Sequence, residues 1–241
     1  MAARLGMECI LVLSGEPGDN PNGNVLLDQL FGARIVWCKR TDRDVVLQQT
    51  FENAWTNGKR PFLIPLGAST PTGTLGYYTA FQEFLSQQVE VDWIVVASSS
   101  AGTQAGLALG AKANGWQGKV LGISIDHTEA ELQQDVSRLA GEAAGWINLK
   151  VRVTPQEVLV NDQFLGAGYA VMGEPEAEAI RLFAKYEGLL LDPVYTGRAA
   201  AGLIGLIRQG YFSKNERVLF WHTGGTPALF AETYTTLLAQ A

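Results

Sequence analysis

The sequence is poor in the residues that build metal centres and crosslinks. Cys9, Cys38, His127 and His222 are its whole stock of cysteine and histidine in 241 residues. No zinc-type spacing can be drawn from them, so no metal is expected. Each cysteine lies in or closes an apolar run, and both read as reduced core thiols. Positive charge is scarce too. The 18 Lys and Arg against 24 Asp and Glu leave a net charge of −6 with no basic run, which argues against nucleic acid and anionic membrane surfaces as partners. No apolar stretch is long enough to span a bilayer and no signal-peptide pattern is present, so the expected location is the cytoplasm. A Walker motif and a G-x-G-x-x-G fingerprint are both missing, which makes nucleoside triphosphates and dinucleotides poor ligands.

What the chain does have is alternation. Apolar, β-branched runs recur as "ECILVL", "ARIVWC", "PFLIPLG", "WIVVASSS", "KVLGISI" and "RVLFWHTGG". Stretches of helical period separate them: 24–31, 44–55, 73–85, 104–113 and 129–143. Strand and helix in turn predict an α/β chain, with mostly parallel sheets covered on both faces. Three expected strand ends are rich in small and hydroxyl residues: Gly67–Thr70, Ser98–Thr103 and His222–Gly225. In open α/β sheets ligands bind beyond the carboxyl ends of the strands, so these three are expected to converge on one crevice. Polar residues over 83–92 suggest a boundary between a small domain, 1–88, and a larger one, 89–241. The start, "MAARLGMECILVL", reads as the tail of a helix that passes at once into a strand.

The central candidate is "VVASSSAGTQAGLALG", a buried strand, a tight hydroxyl-rich turn and a helix start. Ser99, Ser100 and Thr103 supply hydroxyls, Ala101 and Gly102 let the backbone come close, and the helix adds its N-terminal dipole, so the turn reads as an anion cradle. The same letters allow a rival. Ser98-Ser99-Ser100-Ala101-Gly102 has the form of a nucleophile elbow, and Asp192 and His222 follow in triad order, which makes a serine hydrolase an alternative. Two further stretches carry polar groups at strand-to-helix turns. "LLLDPVYTGRAAAGL" holds Tyr195, Thr196 and Arg198, the last a cation for a carboxylate or a surface charge. "FWHTGGTPALF" holds His222 and Thr223. Tyr169 stands in a glycine-flanked loop whose plain reading is surface.

Taken together, "ASSSAGTQAGLALG", "GLLLDPVYTGRAAAGLI" and "LFWHTGGTPALFA", with "LGMECILVLSGEPGDNPNGNVLLDQLFGARIVW" and "IPLGASTPTGTLGY", resemble the D-cysteine desulfhydrase and aminocyclopropane-carboxylate (ACC) deaminase family. These are pyridoxal-phosphate enzymes of the tryptophan-synthase-β fold, also called fold type II. The resemblance covers essentially the whole chain. It implies two three-layer α/β/α domains with pyridoxal 5′-phosphate between them and a small amino acid as substrate. It implies that Ser99, Ser100, Ala101, Gly102 and Thr103 bind the phosphate. It places Tyr195 beside cofactor and substrate, and Tyr169 near the substrate. The deaminases carry a glutamate after the "DPVY" tyrosine and a leucine before the late "GG". This chain carries Thr196 and Thr223 there, as the D-cysteine enzymes do, so a D-cysteine desulfhydrase-like lyase is expected. An ACC deaminase-like activity and a noncovalent phosphate-binding module are the alternatives. Lys39, Lys59, Lys112, Lys119, Lys150, Lys185 and Lys214 all lie outside the family's Schiff-base lysine motif. The resemblance puts that lysine, and a Ser-Asn segment that grips the substrate carboxylate, ahead of Met1. The expectation is an N-terminally truncated chain, inactive alone, whose uncovered apolar surface favours a homodimer.

Overall fold

Most of the β-branched runs become strands, each with a parallel partner. The computed structural model describes residues 1–239. It separates into two compact units: Met1–Ile64 with Phe230–Thr235, and Pro65–Leu229 with the residues from Thr236.

The smaller unit holds β1 (Ile10–Ser14), α1 (Gly23–Leu30), β2 (Arg34–Cys38) and α2 (Arg43–Thr56). β1 and β2 pair in parallel, from Ile10 opposite Arg34 to Ser14 opposite Cys38. Their residues are mostly half-buried, and α2 has no fully buried residue. Two strands alone make a marginal sheet.

The larger unit holds α3 (Pro71–Ser86), β3 (Trp93–Ser98), α4 (Gly102–Ala113), β4 (Lys119–Ser124), α5 (Glu129–Trp146), β5 (Leu159–Asn161), α6 (Glu174–Glu187), α7 (Thr196–Arg208) and β6 (Val218–Trp221); α8 (Glu232–Leu238) follows. The four strands form one parallel sheet in the order β5-β4-β3-β6. β3 is the central, buried strand, and its alternate residues face opposite ways. Ile94 and Val96 pack with Phe81, Phe84 and Leu107 of α3 and α4. Trp93 and Val95 pack with Ala199, Leu203 and Leu206 of α7. Helices thus cover both faces, the three-layer α/β arrangement that continuous apolar strands require. The polar stretch 83–92 joins α3 to β3 inside this unit. Among the described residues no helix is long and apolar enough to cross a membrane.

One expected strand does not form. "PFLIPLG" (61–67) is extended chain ending in a short 3-10 turn over Leu66–Ala68. Pro61 and Pro65 remove two ladder donors, and the run has no partner; Phe62 and Ile64 stand 79% and 60% exposed. β5, three residues long, is too short to have carried an apolar signature.

α3 and α4 approach closely enough to exclude side chains. A Cβ on Gly106 would stand 2.4 Å from the carbonyl oxygen of Thr74, and one on Gly110 would stand 2.6 Å from Cβ of Phe81. Replacing Gly106 by Ala gains about 1 kcal/mol of helix propensity. Overpacking against backbone that cannot yield costs about 1–3 kcal/mol. Gly106→Ala is therefore expected to lower the urea midpoint of the larger unit; an unchanged or raised midpoint rejects the close packing.

Candidate active site

β3 is followed in the sheet by β4 on one side and β6 on the other, so the chain's direction of travel across the sheet reverses at the β3–β6 boundary. A ligand crevice is expected at the carboxyl ends of the strands at such a reversal. Val96 lies opposite Trp221 and Ser98 opposite Ser124, so the turns after β3, β4 and β6 share one end of the sheet.

The turn after β3 leads directly into α4. Ala101 takes a left-handed conformation, φ 68°, and α4 begins at Gly102 with no side-chain cap. The neighbouring helices are capped: Thr70 accepts from the Gly73 N–H at 3.1 Å, and Thr128 and Glu131 form a capping box on α5. Gly102 N–H is taken up by the Ser100 carbonyl at 2.9 Å and Ser69 Oγ at 3.3 Å, while the dipole of α4 favours an anion at its N-terminus by about 0.3–2 kcal/mol. Ser100 Oγ lies 2.8 Å from Ser69 Oγ, which brings Gly67–Thr70 against this turn.

The turn before α7 is held by Asp192, only 1% exposed. Its carboxylate accepts from the backbone N–H of Val194, Tyr195 and Thr196 and from the Thr196 hydroxyl, at 2.7–2.8 Å. The Thr196 hydroxyl oxygen in turn accepts from the Asp192 N–H at 2.8 Å. Thr196 is fully buried, and its hydroxyl proton is committed to Asp192. Thr223 stands exposed just beyond β6. Gly225 is required there, because a Cβ would stand 2.7 Å from Cβ of Asp192.

Of the two sequence readings of Arg198, the surface charge is set aside: the cation is buried against a carboxylate of the protein itself. The side chain is 1% exposed and paired with Glu176 at 2.9 Å, itself 5% exposed. The rest of the guanidinium donates to the carbonyls of Ile125 (2.9 Å), Gly168 (3.0 Å) and Val171 (2.8 Å). Glu176 also accepts from the Gly173 N–H at 2.9 Å. The fork therefore joins α6, α7, the end of β4 and the glycine loop around Tyr169. That loop is not the plain surface its sequence suggested, for the Tyr169 and Tyr195 hydroxyls meet at 2.5 Å with their rings edge to face. Burial, then the Tyr169 hydrogen bond, then the charges of Tyr169, Asp126 and Asp192 push the Tyr195 phenol well above its ordinary range. At neutral pH it is a proton-bearing donor.

The hydrolase triad is not assembled. Asp192 is spent on the α7 turn, and His222 Nδ1 accepts from the Gly224 N–H at 2.9 Å while Nε2 faces the Leu190 carbonyl at 3.3 Å. Ser100 bonds to Ser69. Within the larger unit Lys112 binds Glu157, Lys119 lies 4.4 Å over the Trp93 ring at the opposite end of the sheet, and Lys185 lies 5.2 Å over Tyr186. Sequence reasoning missed Glu176, while Ser69 lies in the Gly67–Thr70 segment it expected at the crevice. The signal for Glu176 was a carboxylate four residues before Ile180 on the buried face of α6.

A four-stranded parallel sheet with an uncapped helix N-terminus at its switch point is the frame of a phosphate-cofactor enzyme. The pattern of the pyridoxal-phosphate-dependent enzyme family matches residues 1–224, and this chain belongs to that family. Its cofactor is pyridoxal 5′-phosphate. An ACC deaminase homologue of known structure is 34% identical over 99% of this chain and 72% of its own, with a TM-score of 0.86. A hydrogen sulfide-producing enzyme from Fusobacterium nucleatum (14% identity, 94% of this chain and 73% of its own, TM-score 0.60) shares the fold. So does an L-serine ammonia-lyase from Rhizomucor miehei (18%, 99% and 76%, TM-score 0.63).

Two measurements check this geometry. Arg198→Met strands the buried Glu176 charge, one buried carbonyl and two part-buried ones, so unfolding free energy should fall by about 3–5 kcal/mol. Arg198→Lys keeps the charge without the fork and should fall by about 1–3 kcal/mol. Unchanged denaturation midpoints would remove the pair from its structural role. Because the folded Tyr195 phenol is raised, its contribution to stability is complete below the unfolded value near pH 10 and is lost as pH rises through the folded value. Phenolate absorbance of the wild type and of Tyr195→Phe should therefore superimpose up to about pH 11; about half a residue's worth of difference at pH 10, as an unshifted phenol would give, contradicts the assignment.

Proposed function

We propose that the chain is the D-cysteine desulfhydrase-like member of its family, built for eliminating sulfide from D-cysteine, which with water gives pyruvate, ammonia and sulfide. The observation that carries this reading is that Asp192, the carboxylate against the Gly225 turn that follows Thr223, already accepts four hydrogen bonds. The exposed Thr223 hydroxyl is then the group offered to the pyridine nitrogen. A neutral hydroxyl holds a proton on that nitrogen less firmly than a carboxylate does. The cofactor supplies an electron sink for the pair left when a bond to the substrate α-carbon breaks, and its depth follows that proton. A shallow sink suits loss of a good β-thiol leaving group better than opening of a cyclopropane.

In this reading Ser99, Ser100, Ala101, Gly102 and Thr103 hold the phosphate through backbone N–H groups and hydroxyls. Thr196 acts at one remove, fixing the turn that aims Tyr195. Tyr195 and Tyr169 share a short hydrogen bond, and their neutral phenols can donate to a departing sulfur. Lys112, Lys119 and Lys185 are engaged elsewhere; we propose that none of the seven lysines forms the cofactor's Schiff base, so that these 241 residues bind it noncovalently and do not turn over.

Stable phosphopyridoxyl amino acids test the substrate class without turnover. Phosphopyridoxyl-D-cysteine should bind at least about tenfold more tightly than the L form or the ACC derivative, the lower end of what such a shape difference is worth. Equal binding, or preference for the ACC derivative, overturns the D-cysteine reading. Incubated with pyridoxal 5′-phosphate and D-cysteine, the chain alone should release no sulfide above the protein-free control; steady turnover would show that it carries a complete catalytic set.

A further inference from the structure

We propose that Ser69 is a positioning residue of the phosphate seat, aiming the Ser100 proton at the anion; this rests on reading 99–103 as that seat. The two segments are 31 residues apart in sequence and touch with no room to spare. A Cβ on Gly67 would stand 2.0 Å from Ser100 Oγ, and one on Gly102 would stand 2.8 Å from Ser69 Oγ. Gly67 is also left-handed, φ 66°, a conformation and a space that together call for glycine.

The hydroxyls form a chain with a direction. Gly102 N–H donates to Ser69 Oγ at 3.3 Å, and Ser69 Oγ donates to Ser100 Oγ at 2.8 Å. Ser69 has spent its proton on Ser100, and Ser100 has accepted it, so the proton of Ser100 is the one left to give. Each link polarises the next, so Ser100 is a stronger donor to an anion than a lone serine. Ser69 also draws Gly102 into place, the residue that opens α4. Its part is to orient the donors that touch the phosphate, without touching it.

The test is calorimetric titration of the whole 241-residue chain with pyridoxamine 5′-phosphate and with pyridoxamine, which lack the aldehyde that reacts with surface lysines. Ser69→Ala should weaken the phosphorylated ligand about fivefold to tenfold, the worth of one neutral hydrogen bond, and leave pyridoxamine unchanged. Ser100→Ala should cost at least as much. The double variant should bind no more weakly than Ser100→Ala alone, because Ser69 acts through Ser100. Wild-type affinity in Ser69→Ala, equal losses for both ligands, or losses that multiply in the double variant overturn the proposal. If Ser69→Ala fails to fold by circular dichroism, Ser69→Cys, similar in shape with a weaker donor, is read by the same criteria. A wild-type chain that does not prefer the phosphorylated ligand defeats the phosphate-seat reading itself, and this inference with it.

Discussion

The larger unit depends on one buried guanidinium. Arg198 spends its donors on Glu176 and on three backbone carbonyls from two segments, with almost no exposure to water. A charge so placed must be satisfied on every side, because an unpaired one would cost several kcal/mol. That requirement pins the loop carrying Gly168 and Val171 against α7 and the end of β4. Tyr169 lies between those two anchors, and its contact with Tyr195 follows from them. The energetic weight of the pair lies less in net stability than in leaving the loop one satisfied arrangement.

A second constraint is distance. Glycines at 67, 102, 106 and 110 allow backbones to meet where no Cβ fits. Along α3 and α4 this lets two helices cover one face of the sheet. At the phosphate turn it lets hydroxyls from separate segments join in one chain. The catalytic end of the sheet is thus assembled from short polar turns, each held by buried acceptors: Asp192 under α7, Glu176 at the start of α6, and Ser69 against α4. These supports leave the positive end of α4, the Thr223 hydroxyl and the Tyr195 phenol facing the carboxyl end of the sheet.

Much of this was legible in the sequence. The strands and helices of the larger unit follow from continuous apolar runs alternating with helical period. The hydroxyl-rich turn after β3 was legible as a tight strand-to-helix turn, and it is where the proposed function puts the phosphate. The "PFLIPLG" run misled because composition cannot show whether a ladder partner exists, and its two prolines were the contrary signal. The hydrolase alternative fitted the order Ser100, Asp192, His222, but order carries no distance. The sequence left Arg198 as a cation for a carboxylate or a surface charge, because its partner lies 22 residues away, on a helix that reads as polar at its start.

Local chemistry by itself determined the element types and the helix-opening turn after β3, since each depends on residues close together in the chain. Partnership across long separations was left to the tertiary structure. It decided that Asp192 would be consumed by the α7 turn, that Arg198 would be buried on Glu176, that Tyr169 would meet Tyr195, and that Ser69 would meet Ser100. The physical reason is common to all four. A polar side chain's role is set by which donors and acceptors reach it once water is excluded, and that is a property of the packed fold.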